Sequence, residues 1–253
     1  MTARRNPVAT IKKPDWTRHA VIRRLRPTAF SLAVLIGCTH DSPPYHPEIQ
    51  PGDFVGGTLN AFFPLVPGMV FTYVAPKDEG IEKTVVEVLP ETRLVNGVRA
   101  TVVRDRVYLD GALTEDTYDW YALDRQGNVW YLGEDSREIE NGEIVGTEGS
   151  WEWGVDGALP GIIMWANPAS HIDESYRQEY LKGEAEDWGR VVAVDRAETV
   201  PFGSFTGCVE TEDWSALESG RERKVYCPEI GLILEVPAGR ANPRLELIAR
   251  TTS

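Results

Sequence analysis

Residues 102–135 read "VVRDRVYLDGALTEDTYDWYALDRQGNVWYLGED", and this stretch decides the fold class. The pair Asp110-Gly111 lies between two extended segments. An Asp-Gly pair suits a type I′ hairpin turn because it tolerates positive φ at both central positions. In the second segment, Tyr118, Trp120 and Ala122 occupy alternate positions, which is typical of a strand with one face toward water. The stretch therefore predicts antiparallel strands joined by tight turns.

The same signals recur along the chain. Asn-Gly pairs at 96–97 and 141–142 predict further hairpins, and a turn at Arg125–Asn128 explains the sequence there better than a calcium loop. Residues 244–250 (RLELIAR) again alternate apolar and charged positions, while helical periodicity is lacking. We predict an all-β fold, an antiparallel meander that forms a lipocalin-like barrel or a β-sandwich, in a single β domain over residues 61–253.

The chain opens with the features of an export signal. A basic flank at residues 23–26 precedes nine apolar residues, 29–37. That segment is too short to span a bilayer, which needs ~20 residues, but it fits the apolar region of a secretory signal. We interpret residues 1–37 as a lipoprotein signal peptide and Val21 as the true start, because the residues before it add nothing to the signal.

The segment ends in LIGC (35–38), which resembles the lipobox of bacterial lipoproteins. Cys38 is then the lipidated N-terminus of the mature protein, and the alternative is a buried cysteine after a short strand. Residues 38–60 are rich in Pro, Gly and polar side chains and predict a flexible tether. The expected location is the cell envelope, lipid-anchored and facing the periplasm or the cell exterior.

Removal of residues 1–37 makes the chain strongly acidic. The leader takes eight of the 26 Lys and Arg residues and one of the 39 Asp and Glu residues. The mature chain therefore keeps 18 basic and 38 acidic residues, a net charge of −20. Such a chain repels phosphate backbones, which excludes nucleic acid as a partner. Contact with the membrane is expected through the lipid on Cys38 rather than through a basic patch.

Two cysteines follow the anchor, Cys208 and Cys227. They face each other if the segments around them are the two arms of one hairpin. An exported protein meets oxidising conditions, so we predict a disulfide that contributes ~3 kcal/mol to stability. The alternative is a pair of separate buried thiols.

Residues 151–168 (WEWGVDGALPGIIMWANP) match neither strand nor helix periodicity. A long apolar connection with several glycines is unusual on a protein surface. One interpretation is a lid over an apolar pocket, with ligand contacts from Trp153, Met164, Trp165 and Tyr176. The alternative is a loop that seals the core, since aromatic residues usually close cores.

Catalytic and metal motifs are sparse. His171 with Asp173 and Glu174 is an acid/base pair in principle, but it is equally a surface pair. The acidic cluster within residues 184–187 matches no complete calcium motif and is typical of a solvated turn. We assign no catalytic residue, no metal and no cofactor from the sequence.

Several blocks of the chain resemble a group of uncharacterised bacterial secreted proteins and lipoproteins of all-β type. The blocks that carry the resemblance are residues 61–73, 102–135, 150–168, 175–180 and 226–236. The resemblance implies a place in the envelope and an all-β fold, and it implies no site residues.

The sequence favours a non-catalytic carrier or sensor for a small apolar or amphipathic ligand. One alternative is a structural or protein-interaction module of the envelope with a solid core, whose partner is an envelope protein. A second alternative is a carboxylate-based hydrolase, because the many acidic residues include possible acid/base pairs.

Overall fold

The computed structural model describes residues 45–54, 59–238 and 243–252. Sixteen strands and two short 3-10 helices, Pro51–Phe54 and Pro168–His171, make up its regular structure. The strands are β1 Met69–Lys77, β2 Gly80–Val95, β3 Val98–Leu109, β4 Ala112–Leu123, β5 Val129–Asp135, β6 Glu138–Glu140, β7 Glu143–Gly146, β8 Trp151–Glu152, β9 Leu159–Met164, β10 Ser175–Arg177, β11 Glu179–Tyr180, β12 Asp187–Val200, β13 Gly203–Ser215, β14 Glu222–Cys227, β15 Gly231–Pro237 and β16 Leu245–Thr252.

The strands form one antiparallel sheet, which confirms the predicted all-β class. Its order is β10-β12-β13-β14-β15-β16-β1-β2-β3-β4-β5-β9-β11, with β6, β7 and β8 at its margin. The sequence left a barrel and a sandwich open, whereas the strands form one continuous sheet that is not closed. The two end strands, β10 and β11, are nevertheless consecutive in the chain, and only Gln178 separates them.

The three predicted Asn-Gly and Asp-Gly hairpin turns are confirmed. The first residue of each of these three lies in the left-handed region, with φ of 44° at Asn96, 47° at Asp110 and 54° at Asn141. A glycine with φ between 82° and 85° follows each of the three. These are the backbone angles that a type I′ turn requires, so the turn residues set the pairing of β2 with β3, β3 with β4, and β6 with β7.

The segment predicted to lack periodicity contains two strands. Residues 151–152 form β8, residues 159–164 form β9, and both pair with β5. Glycines interrupt the apolar alternation of this segment, and some of them are needed because another part of the chain packs close to their backbone. A Cβ at Gly161 would overlap the backbone of Arg177 and Gln178, so the chain that links β10 to β11 passes directly over this glycine.

Buried side chains form three apolar clusters. The largest lies under β1, β2 and β13–β16, and it contains Met69, Phe71, Val88, Met164 and Leu247 among others. The second gathers around Val102, Trp120, Leu132, Trp151 and Trp153. The third is small and consists of Ile162, Tyr176, Val191 and Val209.

Part of the segment predicted as a tether lies against the domain. The hydroxyl of Tyr45 donates to the carbonyl of Pro160 at 2.8 Å, and the amide of Arg125 donates to the carbonyl of Asp53 at 2.9 Å. Phe54 contacts Trp130 and Trp153 edge-on or tilted, each at 6.2 Å between ring centroids. Cys38 lies outside the described residues. Within them, no helix is long and apolar enough to span a bilayer.

Candidate ligand-binding site

Four carboxylates form a row across the sheet. They are Asp105 on β3, Asp119 on β4, Glu134 on β5 and Glu179 on β11. Asp119 and Glu134 are cross-strand partners, and Asp105 pairs with Thr117, two residues before Asp119. Directly paired residues share a face of the sheet with Cβ atoms ~5 Å apart, and diagonal neighbours are ~7 Å apart. We call these four side chains the carboxylate row.

Aromatic rings border the carboxylate row. The hydroxyl of Tyr131 donates a hydrogen bond of 2.6 Å to Oδ1 of Asp119. Tyr131 stacks on Tyr121 at 4.9 Å and meets Trp151 edge-on at 5.3 Å. Phe63 contacts the other side of this group, 5.1 Å from Tyr121. The row therefore lies beside ring surfaces and not in a purely polar setting.

The surroundings of the row raise its pKa values. Burial is the main cause for Asp119, and nearby Glu115 adds to it; together they outweigh the Tyr131 hydrogen bond and raise the pKa to about 7. Burial also raises the pKa of Asp105, of Glu134 and of Glu179 well above the usual range, and neighbouring carboxylates raise each of them further.

These groups are enclosed without being sealed from water. Asp105, Asp119 and Glu134 are surrounded by protein, yet each keeps part of its side-chain surface exposed. Glu179 is only 8% exposed. A half-buried carboxyl such as Asp119, with its pKa raised to about 7, is able to exchange a proton near neutral pH.

A half-buried lysine on β14, Lys224, lies in a second group of acids. Lys224 pairs across the strands with Thr211 and Glu235, and its Nζ is 3.3 Å from Asp213 and 3.8 Å from Glu235. Burial lowers the pKa of Lys224, but these carboxylates outweigh burial and hold the pKa well above its usual value. Lys224 is therefore a charged group whose charge is already offset by its neighbours. Glu235 also raises the pKa of Asp105, which connects the lysine group to the carboxylate row.

Tyr176 on β10 lies near Asp213 and Lys224. Its ring lies over Gly189, where a Cβ would be 2.8 Å from ring atoms, so only glycine fits beneath it. Burial, and then the charge of Asp213, raises the pKa of the Tyr176 phenol well above 10. The Tyr176 hydroxyl is buried and has no hydrogen-bond partner within the described part of the protein.

The four residues predicted to bind a ligand fall in different places. Trp165 meets Tyr176 edge-on at 5.5 Å and stacks on His171 at 3.9 Å, so these two predicted residues are together. Met164 is fully buried in the largest cluster, and Trp153 lies in the second cluster against Phe54. Their role in binding stays a prediction.

The sequence did not predict the carboxylate row, and the alternation of side chains explains why. The alternation around Trp120 assigns Asp119 to the face that meets water, as it would for any strand at the surface. In the structure Asp119 instead faces Glu134 across the strands and accepts a hydrogen bond from Tyr131. The one sequence signal for the carboxylate row is that tyrosines lie at alternate positions beside its acids, such as Tyr121 two residues after Asp119.

Other candidate groups stand apart from this region. His171 Nδ1 is 2.9 Å from Glu174 Oε2 on the exposed side of the short helix Pro168–His171. In residues 45–54, 59–238 and 243–252, no three His, Cys, Asp or Glu side chains are arranged to hold a metal ion. Two open surface depressions, lined by residues 197–199 with 204–206 and by residues 47–50 with Asp53, contain none of the carboxylate row.

The cysteine prediction is confirmed in the structure. Cys208 on β13 and Cys227 on β14 form a disulfide. The neighbouring pair Val209 and Tyr226 shows that the two strands are the arms of one hairpin.

Comparison with known proteins finds distant structural similarity. No protein-family model and no curated protein matches the chain. One similar solved structure is an exported-protein candidate with a YmcC-like fold from Bacteroides fragilis NCTC 9343, 16% identical, with a TM-score of 0.44, covering 76% of this chain and 100% of that chain. Another is a lipoprotein candidate from Parabacteroides distasonis ATCC 8503, 10% identical, with a TM-score of 0.40, covering 77% of this chain and 100% of that chain. No activity is transferred from either.

Proposed function

We propose that this protein is a membrane-anchored extracytoplasmic lipoprotein whose β domain is a non-catalytic carrier or sensor for a small amphipathic ligand. The anchor is the lipid on Cys38, supported by the basic flank, the short apolar segment and the LIGC motif of the sequence. The disulfide between Cys208 and Cys227 supports export, because such bonds persist in oxidising compartments.

The observation that carries the binding role is the carboxylate row beside its aromatic rings. Binding sites for small molecules combine apolar and aromatic contacts with a few placed polar groups. Here the half-buried ring of Tyr121 supplies ring surface, backed by the buried rings of Tyr131 and Trp151, and the carboxylates supply the polar contacts. An amphipathic molecule matches both parts. Trp165 and Tyr176, predicted from the sequence as ligand contacts, meet each other edge-on at 5.5 Å.

Titration with an amphipathic fluorescent probe tests this proposal. We expect quenching of tryptophan fluorescence at one saturable site in the full chain, since Trp151 borders the row. Tyr176→Ala should weaken binding at least tenfold, and Trp165→Ala should weaken it less by loosening the Tyr176 ring. Tyr108→Ala, on β3 near Lys83 and away from the row, is the control and should bind normally. Absence of saturable binding at millimolar probe would refute the carrier role and favour the envelope interaction module.

A second candidate is the carboxylate-based hydrolase, and one observation favours it. Asp119 and Glu134 are cross-strand partners, and a carboxyl with a pKa of about 7 is suited to general acid catalysis. Mass spectrometry of a ligand after prolonged incubation separates the two roles. A carrier returns the ligand intact, whereas a hydrolase returns cleaved products, and Asp119→Asn abolishes their formation.

A further inference from the structure

A two-stranded ribbon, residues 138–146, lies at the margin of the sheet. It consists of β6, β7 and the turn between them, and we call it the β6–β7 ribbon. The ribbon joins the main sheet through β6, where Glu138 pairs with Glu115 on β4. We propose that β7, the outer strand of this ribbon, binds an extended basic segment of a partner protein as an added strand. This interaction does not depend on the carrier role.

One edge of β7 has no neighbouring strand. In the described ranges 45–54, 59–238 and 243–252, β7 pairs with β6 alone. An edge strand offers a row of unpaired N–H and C=O groups, which another strand is able to join through main-chain hydrogen bonds. A two-stranded ribbon is only marginally stable by itself, so a third strand would stabilise it. The backbone of β7 is therefore a suitable docking edge for an extended peptide.

The central side chains of β7 are apolar and exposed. Ile144 is 58% exposed and Val145 is 53% exposed. Consecutive residues of a strand point to opposite faces of the sheet, so each face of β7 presents one of these side chains. Proteins commonly protect a free edge with charged residues or proline. These two positions have neither, and an added strand would remove apolar surface from water on both faces.

The charge of the ribbon favours a basic partner. The ribbon contains Glu138, Glu140 and Glu143 and no basic residue. Glu140 lies directly opposite Glu143, and like charges at directly paired positions destabilise a sheet. The adjacent Arg137 already pairs with Asp135. A lysine or arginine on an added strand would offset the repulsion between the two glutamates, whereas a second copy of β7 would add to it.

Three capped peptides of five residues test the proposal. Their sequences are Lys-Val-Lys-Val-Lys, Glu-Val-Glu-Val-Glu and Lys-Pro-Lys-Pro-Lys, and each is titrated by calorimetry into the full-length chain with Cys38→Ala, which cannot carry the lipid. The Lys-Val peptide should bind at least about tenfold more tightly than the other two, because the Glu-Val peptide has the wrong charge and proline removes backbone donors from the Lys-Pro peptide. Hydrogen exchange of the β7 amides should become slower when the Lys-Val peptide is bound.

A charge variant, Glu140→Gln with Glu143→Gln, locates the site. Binding of the Lys-Val peptide should fall roughly fivefold, since two exposed charge pairs are lost. The melting temperature should stay the same or rise, because the variant also removes a like-charge pair. The matched control is Glu91→Gln with Glu218→Gln, two exposed acids outside the ribbon, which should leave binding of the peptide unchanged.

A second variant, Ile144→Thr with Val145→Thr, removes apolar groups and keeps side chains that favour strands. Both positions are exposed, so the fold is expected to persist, and circular dichroism checks this. Binding of the Lys-Val peptide should again fall roughly fivefold, because less apolar surface is covered.

Several outcomes would overturn the proposal. Equal binding of the Lys-Val and Lys-Pro peptides would show attraction of charge without strand addition, and equal binding of the Lys-Val and Glu-Val peptides would show that charge selects nothing. Unchanged affinity in either variant would place the peptide away from β7. Absence of binding at millimolar Lys-Val peptide, or sedimentation that shows self-association of the chain through β7, would exclude a basic partner strand at this edge.

Discussion

At the scale of single residues, Asp119 shows how position changes the chemistry of a common side chain. An aspartate at the surface is ionised near neutral pH, because its ordinary pKa is ~3.9. Asp119 is enclosed between Tyr131 and neighbouring acids, and its pKa is raised to about 7. Its folded form therefore binds a proton that its unfolded form releases at much lower pH.

The first prediction follows from this difference. Between about pH 4 and pH 7 the folded chain holds more protons than the unfolded chain, so its free energy of unfolding should fall as pH rises. Asp119→Asn removes this group and should reduce the slope by about 1 kcal/mol per pH unit, since one pKa unit corresponds to ~1.4 kcal/mol. The asparagine oxygen still accepts the hydrogen bond from Tyr131. Urea unfolding from pH 4.5 to pH 8 measures the slope.

The comparison variant for this experiment is Glu148→Gln, whose parent side chain is exposed. Its free energy of unfolding, plotted against pH, should run parallel to that of the unaltered protein. If the Asp119→Asn curve were also parallel, Asp119 would titrate normally in the folded chain. The remaining slope of Asp119→Asn is expected to be negative, because Glu134 and Glu179 have raised pKa values as well.

At the scale of elements, β9 depends on the chain that crosses it. β10 pairs with β12 and β11 pairs with β9, so residues 175–180 bridge the two ends of the sheet order. The crossing point lies on Gly161, where a side chain would overlap the backbone of Arg177 and Gln178. Because Gly161 has no side chain, residues 175–180 are able to cross β9 at this position.

The second prediction concerns Gly161→Ala. The added methyl group must displace backbone, which cannot rotate away as a side-chain end can, so we expect a loss of about 3 kcal/mol in stability. Gly52→Ala is the matched control, because nothing lies within 4 Å of the Cβ that it adds. That control should change stability by less than ~0.5 kcal/mol. Thermal unfolding followed by circular dichroism compares the two, and equal melting temperatures would contradict the crossing.

The third prediction concerns the hairpin of β13 and β14. The disulfide closes a loop with a sequence separation of 19 residues. Replacing both cysteines, Cys208→Ser with Cys227→Ser, should lower the free energy of unfolding by ~3 kcal/mol through the entropy of the unfolded chain. Ligand affinity should not change, because the carboxylate row lies on other strands. Peptide mapping without reductant should find the two peptides linked in the unaltered protein, and two free thiols in envelope preparations would contradict the bond.

At the scale of the whole molecule, the proposed lipid on Cys38 is what would hold the domain at a membrane. The fourth prediction is that Cys38→Ala abolishes acylation and detergent partitioning while the β domain still folds. The reason is that the folded strands begin at Met69, well after the anchor. Metabolic labelling with a fatty acid, phase separation in detergent and circular dichroism give the three readouts. Labelling of the variant at an unchanged level would contradict the lipid at Cys38.

The tertiary structure also groups the acidic residues in a way that the composition of the sequence does not show. The chain has 39 acidic and 26 basic residues, and several of its acids lie in ion pairs such as Arg104 with Asp116 and Arg106 with Glu87. The carboxylate row differs because its members come from four separate strands, and no arginine or lysine of those strands pairs with it in the described salt bridges. An acidic composition by itself does not distinguish the acids in ion pairs from the acids of the carboxylate row.

The sequence by itself determined the features that depend on near neighbours. Asn-Gly and Asp-Gly pairs set three hairpins, alternation identified β4 and β16, and the spacing about a central turn paired Cys208 with Cys227. Each of these rests on backbone angles or on side chains a few residues apart, which local sequence controls.

Only the tertiary structure decided the sheet order and the carboxylate row. The order brings β5 next to β9 and joins β16 to β1, pairings that span many residues and carry no local signal. The row needs β3, β4 and β5 in register, so that Asp119 faces Glu134 and meets Tyr131, and it needs β11 to pair with β9 beyond them. The same alternation that marks a wet surface also marks an enclosed polar interior, because periodicity reports which side a residue faces and not what covers that side.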